Sequence, residues 1–328
     1  MRRVSTTPIR WILQKTTRIF AADQHSEKKS SSITGISYFC TVKLPAYISE
    51  SDLDRLIDAA VGEDVGDGDH TTLAAIPAEA KNKAKLTAKE KGVIAGIYVA
   101  GKVFAHIDPG LKLDVLLPDG SAVNPGDTIF TVSGSARSIL TAERLALNFM
   151  QRMSGIASYT QKLNELIAGS NAKLLDTRKT TPGMRMLEKW AVKIGGGENH
   201  RFGLFDMILL KDNHIDFAGG IANAIAAARK YLRDHNKNLK IEVETRNIDE
   251  VRQALDAGGV DVIMLDNMSP AEIKKAVDII AGACKTEASG NVTERNIREI
   301  AFCGVDYISV GALTHSVKSL DLSLKALT

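Results

Sequence analysis

Apolar and polar positions change rhythm twice along the chain. In SESDLDRLIDAAVGED, Leu53, Leu56, Ile57 and Ala60 recur at helical spacing behind capping serines and first-turn acids, which predicts a helix. GDGDHTT follows as a turn-rich loop. KAKLTAKEKGVIAGI, LKLDVLLPDGSAV and DTIFTVSGSA then read as strands, with turns at Pro118-Asp119-Gly120 and Asn124-Pro125-Gly126, giving a small sheet domain over about residues 47 to 135. The stretch SILTAERLALNFMQRMSGIASYTQKLNELIA is helical, and Gly155 predicts a break into two helices. From Ala172 the rhythm becomes βα: strands AKLLD, DMILLKDN, KIEVET, DVIMLDN, CKTEASG and DYISVG alternate with helices such as NIDEVRQALDAGG and SPAEIKKAVDIIAGA. Such alternation implies a parallel sheet. Six strands fall two short of an eightfold barrel, so the expected fold class is α/β with an incomplete six-stranded barrel.

Composition narrows the function classes. The chain has 328 residues, 44% apolar and 25% charged, with a net charge of +3, too weak a bias to argue for nucleic acid. Cys40, Cys284 and Cys303 show no CxxC spacing, which argues against a zinc site or disulfide framework and fits a reducing compartment. No apolar run has the length of a membrane span. Residues 1–46 differ from the rest: MRRVSTTPIRWILQKTTRIFAADQHSEKKSSS is basic, rich in Ser and Thr and poor in acids. Two expectations compete for it, a disordered extension of a cytoplasmic protein or an organellar targeting peptide. Order is expected to begin near Tyr47.

The chemistry lies in what ends each strand. The ends read Asp176-Thr177-Arg178-Lys179, Lys211-Asp212-Asn213-His214, Glu242 and Glu244, Asp266-Asn267, Glu287 with Ser289-Gly290, and Gly311. C-terminal strand ends line the active site in parallel βα folds, so these residues form one candidate mouth. The cations Arg178, Lys179, Arg201 and Lys211, with Arg144 upstream, suit planar carboxylates or phosphate. Lys211 directly ends DMILL, which places it at the mouth and not on the solvated surface. Glu244 and Asp266 are an acid pair suited to Mg²⁺, or to a developing positive charge. Ser269 competes better than Asp266 for capping the following helix. Ser289, Gly290 and Asn291, with Val310, Gly311 and Ala312, are small enough to let backbone N–H groups reach a phosphate. In KIGGGENHRFG the glycines follow a helix, so Gly195 ends it and the loop presents His200 and Arg201 to a carboxylate. A site for anionic substrates follows; spacing alone does not name the reaction.

At these residues the chain closely resembles the quinolinate phosphoribosyltransferase family, from about Leu53 to the C-terminus. EDVGDGDHTT, TAERLALNFMQRMSGIAS, LLDTRKTTPGMRMLEKWAVKIGGGENHRFGL, ILLKDNHI, IEVET, IMLDN, EASGN and GVDYISVGALTHS carry the resemblance. It implies an N-terminal α/β sandwich over 47–155, the incomplete barrel over 156–312, and a tail, 313–328, returning to the N-terminal domain. It implies transfer of phosphoribosyl from 5-phosphoribosyl 1-pyrophosphate to quinolinate with loss of CO₂, in NAD biosynthesis, using Mg²⁺, in a homodimer or a higher oligomer. On the same resemblance, Thr177, Arg178, His200, Arg201 and Lys211 bind quinolinate, with Arg144 reaching in from a partner subunit. Lys179, Ser289, Gly290, Asn291, Val310, Gly311 and Ala312 bind the phosphoribosyl substrate. Glu244 and Asp266 serve it and the metal, and Lys179, Lys211, Glu244 and Asp266 form the catalytic set. Asn291 stands where many members have glycine, a change that leaves a backbone N–H contact intact. Alternatives are a related transferase with another aromatic acceptor, a sugar-phosphate lyase using Lys211 as a Schiff-base amine, and a non-catalytic binding protein.

Overall fold

A computed structural model of the chain describes residues 33–34, 38–39 and 41–327. Most of the basic extension, and Cys40, lie outside the described residues. Order nonetheless begins before Tyr47. Strand β1 (Ile33–Thr34) is in place, and Tyr38 is 4% exposed, its hydroxyl donating to Asp119 Oδ2 at 3.0 Å.

The N-terminal layer follows the sequence pattern with two departures. Helix α1 (Glu50–Val65) is capped by Ser49, whose side chain accepts the Asp52 N–H, and it buries Leu53 and Ile57. The expected GDGDHTT loop winds into a short helix, α2 (His70–Ala75), because the Asp69 carboxylate accepts the Thr72 N–H at its start. Strands β2 (Lys81–Ala88) and β3 (Gly92–Val93) follow, but the chain does not remain extended. Helix α3 (Ile97–Ile107) occupies the next stretch. Its residues Ile97–Gly101, Val103 and Phe104 are all buried, and the polar side is confined to Lys102 and His106 near its end, so the first five residues, IYVAG, give no helical period and also read as a strand. Asp119, in the predicted Pro-Asp-Gly turn, accepts the Ile97 N–H at 3.0 Å and caps α3 from outside.

Strands β4 (Lys112–Val115), β5 (Ala122–Val123) and β6 (Thr128–Ser135) complete this part of the chain. The main sheet is antiparallel in the order β1-β4-β6-β2, and the last strand of the chain, β13 (Leu322–Ala326), adds beyond β2. Leu322 pairs with Ala88 and Ala326 with Ala84. The inward positions Leu86, Ile129, Phe130, Val132 and Leu324 pack under Phe104 and Met150 in one core.

Helix α4 (Ala136–Leu166) connects the two layers and corrects the expectation of two helices. Its 31 residues run unbroken for about 46 Å, so the boundary drawn at 155–156 falls inside a helix and not in a linker. Gly155 has another reason. A Cβ there would stand 2.3 Å from the Lys318 carbonyl oxygen and 3.1 Å from Ser319 Cα, so the glycine lets the C-terminal segment cross the helix at backbone contact. Just N-terminal of it, Leu320 N donates to Gln151 O at 3.0 Å, and Gln151 Nε2 donates to Leu322 O at 3.1 Å.

The second layer consists of β7 (Lys173–Leu175), α5 (Arg185–Ile194), β8 (Ile208–Leu210), α6 (Asp212–Phe217), α7 (Ile221–Asp234), β9 (Ile241–Thr245), α8 (Ile248–Ala257), β10 (Val262–Asp266), α9 (Pro270–Ile280), β11 (Lys285–Ser289), α10 (Ile297–Phe302), β12 (Tyr307–Ser309) and α11 (Ala312–His315). All six strands are parallel, in the order β7-β12-β11-β10-β9-β8. The ring is open between β7 and β8, the incomplete barrel expected. Glu198 fills part of the seam, its N–H donating to Leu174 O and its carbonyl accepting from Asp176 N. Ser269 caps α9 in a reciprocal box with Glu272, which leaves Asp266 free of that duty.

Gly155→Ala separates the two roles of the glycine. Relief of a helix weakness would stabilise by about 1 kcal/mol. Displacing a packed backbone costs about 1–3 kcal/mol. We expect a net loss, seen as a lower urea midpoint; an unchanged or higher midpoint contradicts the close-approach role.

Candidate active site

The strand ends surround a cavity of about 820 Å³. Thr177, Arg178 and Lys179 enter it from the β7 end, His200 and Arg201 from the seam, and Lys211 from the β8 end. Glu244 and Asp266 come from β9 and β10. Ser289, Gly290 and Asn291 face Val310, Gly311 and Ala312 across its far side. Every residue given a substrate or metal role lines it except Arg144, which is exposed on α4; of the strand-end residues expected at the mouth, Asp176, Asp212, Asn213, His214 and Glu242 do not line it.

One end of the cavity is a cation pocket. Arg178 and Arg201 are partly buried, and among the described residues neither forms an ion pair; Arg178 Nε is buried without any hydrogen-bond partner. Burial and the nearby Arg178 both work against the charge on Arg201. Glu242 and Asp206 act on Arg201 from a distance without pairing with it, so both guanidiniums keep donors for an anion from outside. Lys211 differs from expectation. It ends its apolar run, yet its side chain is 46% exposed, and Nζ sits 2.8 Å from Glu244 Oε2. An ammonium on a carboxylate is a fixed charge, poorly suited to act as a neutral amine nucleophile, which disfavours the Schiff-base alternative.

The His200-Arg201 loop is fixed from below by a network the sequence pattern does not reveal. Asp176 and Lys189 have fully buried side chains and pair directly. Asp176 also accepts from Asn199 Nδ2 at 2.6 Å and from His200 N at 2.9 Å, while Lys189 Nζ donates to His200 O at 3.0 Å. Burial pushes Asp176 up and Lys189 down, and each is opposed by its partner's charge. Gly195 caps α5 as expected, and its absent Cβ matters too, since it would lie 2.4 Å from Ala157 O on α4.

Deeper in the barrel His200 meets two more acids. Glu242 and Glu287 are each 1% exposed, and His200 Nε2 lies 2.9 Å from Glu242 Oε2 and 3.4 Å from Glu287 Oε2, off the ideal hydrogen-bond axis. Alternation along β9 puts Glu242 on the same inward face as Glu244, which is the signal that marks it. The set could grip a cation. However, His200 Nδ1 accepts the Arg201 N–H at 2.8 Å, so Nε2 carries the proton and offers no lone pair. Protons are the better occupants. Burial, then Glu287, pushes Glu242 up to about 7. Burial pulls His200 down, but contact with the two acids outweighs it and raises the ring to about 10. Of the extra protons on this coupled set, the one on Glu242, shared toward Glu287, leaves first as pH rises, and the ring's leaves later.

On the opposite side Gly290 (φ 88°) and Asn291 (φ 49°) both adopt the left-handed conformation, one that Asn tolerates better than most residues. A Cβ at Gly290 would strike Asn267 Oδ1 at 2.3 Å. Among the described residues the N–H groups of Gly290, Asn291 and Gly311 have no backbone acceptor and face the cavity side. The Asn291 side chain adds a contact. Asp266 Oδ2 can only accept, so Asn267 turns its Nδ2 toward it at 2.7 Å and its Oδ1 away, where Asn291 Nδ2 donates at 2.9 Å. Asn291 thus orients Asp266 through Asn267. Thr293, Ser309 and His315 also line the cavity without having been marked by the strand-end pattern.

Fold and site together define a class: an open-barrel enzyme with one pocket for an anionic acceptor, another for phosphate, and a pair of acids between. Comparison with known proteins narrows it. A family model described as quinolinate phosphoribosyl transferase, C-terminal domain, matches residues 156–325, and the corresponding N-terminal domain matches residues 69–154. A nicotinate-nucleotide pyrophosphorylase [carboxylating], chloroplastic, of Arabidopsis thaliana is 49% identical over 84% of this chain and 82% of its own length. A quinolinate phosphoribosyltransferase [decarboxylating] 2b, mitochondrial, of Nicotiana tabacum is 47% identical over 87% of this chain and 84% of its own. The crystal structure of NadC from Streptococcus pyogenes superposes with a TM-score of 0.82 at 42% identity, covering 87% of this chain and 100% of that one. The chain belongs to the quinolinate phosphoribosyl transferase family.

The inner cluster sets a pH dependence. The folded chain keeps a proton there that the unfolded chain releases, so its contribution to stability is complete at low pH. It is lost as pH rises from the ordinary glutamate range through about 7. Glu242→Gln, neutral throughout, is expected to gain stability relative to wild type between about pH 5 and about pH 8. Melting temperatures across that range measure it, and a constant difference would remove the shared proton.

Proposed function

We infer that this chain transfers the phosphoribosyl group of 5-phosphoribosyl 1-pyrophosphate to quinolinate with decarboxylation, giving nicotinate mononucleotide, pyrophosphate and CO₂ in NAD biosynthesis. The observation that carries the assignment of ends is the unpaired Arg178–Arg201 couple, a receptor for adjacent carboxylates. His200 and Thr177 complete the quinolinate pocket. The free amides of Gly290, Asn291, Gly311 and Ala312, with Ser289 and Val310, support binding of the 5′-phosphate, and Lys179 reaches the phosphoribosyl group from the β7 end.

Both substrates are anions and repel one another, so the cations lower the cost of bringing them together. As the C1–O bond to pyrophosphate breaks, positive charge grows on the ribose, and Glu244 and Asp266 stabilise it. Lys211 holds Glu244 in position and lends its own charge to the acceptor. The pyridine nitrogen attacks C1, the neighbouring carboxylate departs as CO₂, and the electron pair left on that ring carbon, stabilised by the adjacent positive nitrogen, takes up a proton from solvent. Mg²⁺ fits the donor set: Glu244 Oε1 and Asp266 Oδ1 are carboxylate oxygens without a protein donor among the described residues, and Mg²⁺ takes one or two such ligands besides substrate phosphate and water. Bound there, it would offset the charge of the leaving pyrophosphate.

Arg178→Ala and Lys211→Ala are each expected to lower quinolinate-dependent pyrophosphate release by about 10²-fold, with Mg²⁺ present, since each loses a charge-assisted contact to the acceptor worth about 1.5–3 kcal/mol. Near-normal turnover in both would refute the assigned roles.

Arg144, exposed on α4 and outside the cavity, supports a homodimer in which it reaches the partner's site. Mixing inactive Arg144→Ala and Lys211→Ala chains after dissociation should restore about a quarter of wild-type activity, since each mixed dimer keeps one complete site. No recovery would place Arg144 outside catalysis in trans. For residues 1–46 the basic, acid-poor composition, beside relatives named chloroplastic and mitochondrial, supports an organellar address over a cytoplasmic one. Mass spectrometry of the mature N-terminus distinguishes the two.

A further inference from the structure

Lys179 sits on a hydrogen-bonded circuit whose other members lie outside the cavity. Thr314 is fully buried, and its hydroxyl donates to Lys179 O at 2.8 Å, with a second contact to Gly311 O at 3.3 Å. Thr314 N donates to Gly311 O at 3.1 Å. One residue thus ties the loop after β7 to the loop after β12. The stem of Lys179 runs over Gly311, its Cδ 3.1 Å from where a Cβ would stand.

Behind this contact lies an ion pair. Glu188 has a fully buried side chain; its Oε1 accepts from Arg152 Nε at 3.0 Å and Nη2 at 2.7 Å, and its Oε2 accepts the Thr181 N–H at 3.1 Å. Arg152 also donates to Val317 O at 3.1 Å and to Thr314 O. The circuit therefore runs from the Lys179–Thr181 turn through Glu188 and Arg152 to the C-terminal segment, and back through Thr314 to Lys179. Arg152 and Glu188 belong to helices α4 and α5, which are rigid elements. None of these three residues hydrogen-bonds Thr177, Arg178, His200 or Arg201 directly; the link to that end is the Lys179 N–H, which donates to Thr177 Oγ1 at 3.1 Å, while the His200-Arg201 loop is supported by Asp176 and Lys189.

We propose that Thr314, backed by Glu188 and Arg152, is a positioning residue that sets Lys179 against Gly311 and so governs the phosphoribosyl half of the cavity separately from the acceptor half. This rests on the assignment of Lys179 and Gly311 to the phosphoribosyl substrate made above.

The test uses two variants with opposite losses. Thr314→Val keeps the packing and loses the hydroxyl; Thr314→Ser keeps the hydroxyl and loses a methyl. In Thr314→Val the KM for 5-phosphoribosyl 1-pyrophosphate should rise about tenfold, the effect of one hydrogen bond. The KM for quinolinate at saturating co-substrate should stay within about twofold. Thr314→Ser should return the first KM to within about twofold of wild type while melting at a lower temperature, because KM follows the hydroxyl and stability follows the methyl. If Thr314→Val does not fold, Arg152→Lys, which keeps its charge toward Glu188 but loses the fork to the C-terminal carbonyls, should show the same selective rise. Lys179→Ala is the reference. If it leaves the KM for 5-phosphoribosyl 1-pyrophosphate unchanged, the assignment of that end is wrong. If it raises that KM while Thr314→Val does not, or if Thr314→Val raises both KM values equally, the positioning role is overturned.

Discussion

The buried Asp176–Lys189 pair is the interaction on which the site depends. This six-stranded ring does not close, and the seam between β7 and β8 would otherwise leave strand edges open beside the cavity. The chain fills that gap with an irregular segment, 195–201, and pins it by side chains. Asp176, at the end of β7, accepts from Lys189, Asn199 and the His200 amide, so a single carboxylate joins strand, helix and loop. Two fully buried charges are costly to desolvate, and loss of either partner alone would leave the other stranded, at about 3–5 kcal/mol. The pair is explained less by stability than by placement: it fixes His200 and Arg201 where no regular element reaches.

Charge is sorted by depth. Among the described residues the two guanidiniums at the acceptor end have no direct ion pair, whereas Glu242 and Glu287 beneath them are in contact with His200. Glu242 and Asp206 act on Arg201 only from a distance. Were either acid to pair with Arg201, that internal contact would compete with the substrate carboxylates. Lys211 is already neutralised by Glu244, which gives it the role of a placed dipole more than a free cation.

Legibility in the sequence followed the strength of local patterns. The six barrel strands were marked by apolar runs between turn signals, and their ends located the cavity because side chains at strand termini have little freedom in where they point. Ser269 and Gly195 were likewise legible as helix boundaries. Helix α3 was not, since its first five residues are all buried and show no polar period. Gly155 misled because a glycine in a helix signals weakness when viewed locally, and its cause, the Lys318 carbonyl, lies 163 residues away in sequence. The Arg152–Glu188 and Asp176–Lys189 networks are hidden for the same reason: each joins residues whose proximity exists only after folding. The left-handed Asn291 could be anticipated as a glycine substitute, but not its line of contact to Asp266.

The pairing of β13 with β2 has a consequence for the order in which the chain can be completed. The N-terminal sheet takes its outer strand from residues 322–326, so β2 has an unsatisfied edge until that segment has been made, after the whole barrel. A nascent chain emerging at the ribosome can form the helices and most of the barrel while that edge waits, exposed to any other extended segment nearby. A chain cut before residue 322 would therefore have an intact set of catalytic strand ends and a defective first domain. Residues 322–326 serve as a latch for a part of the molecule made long before them.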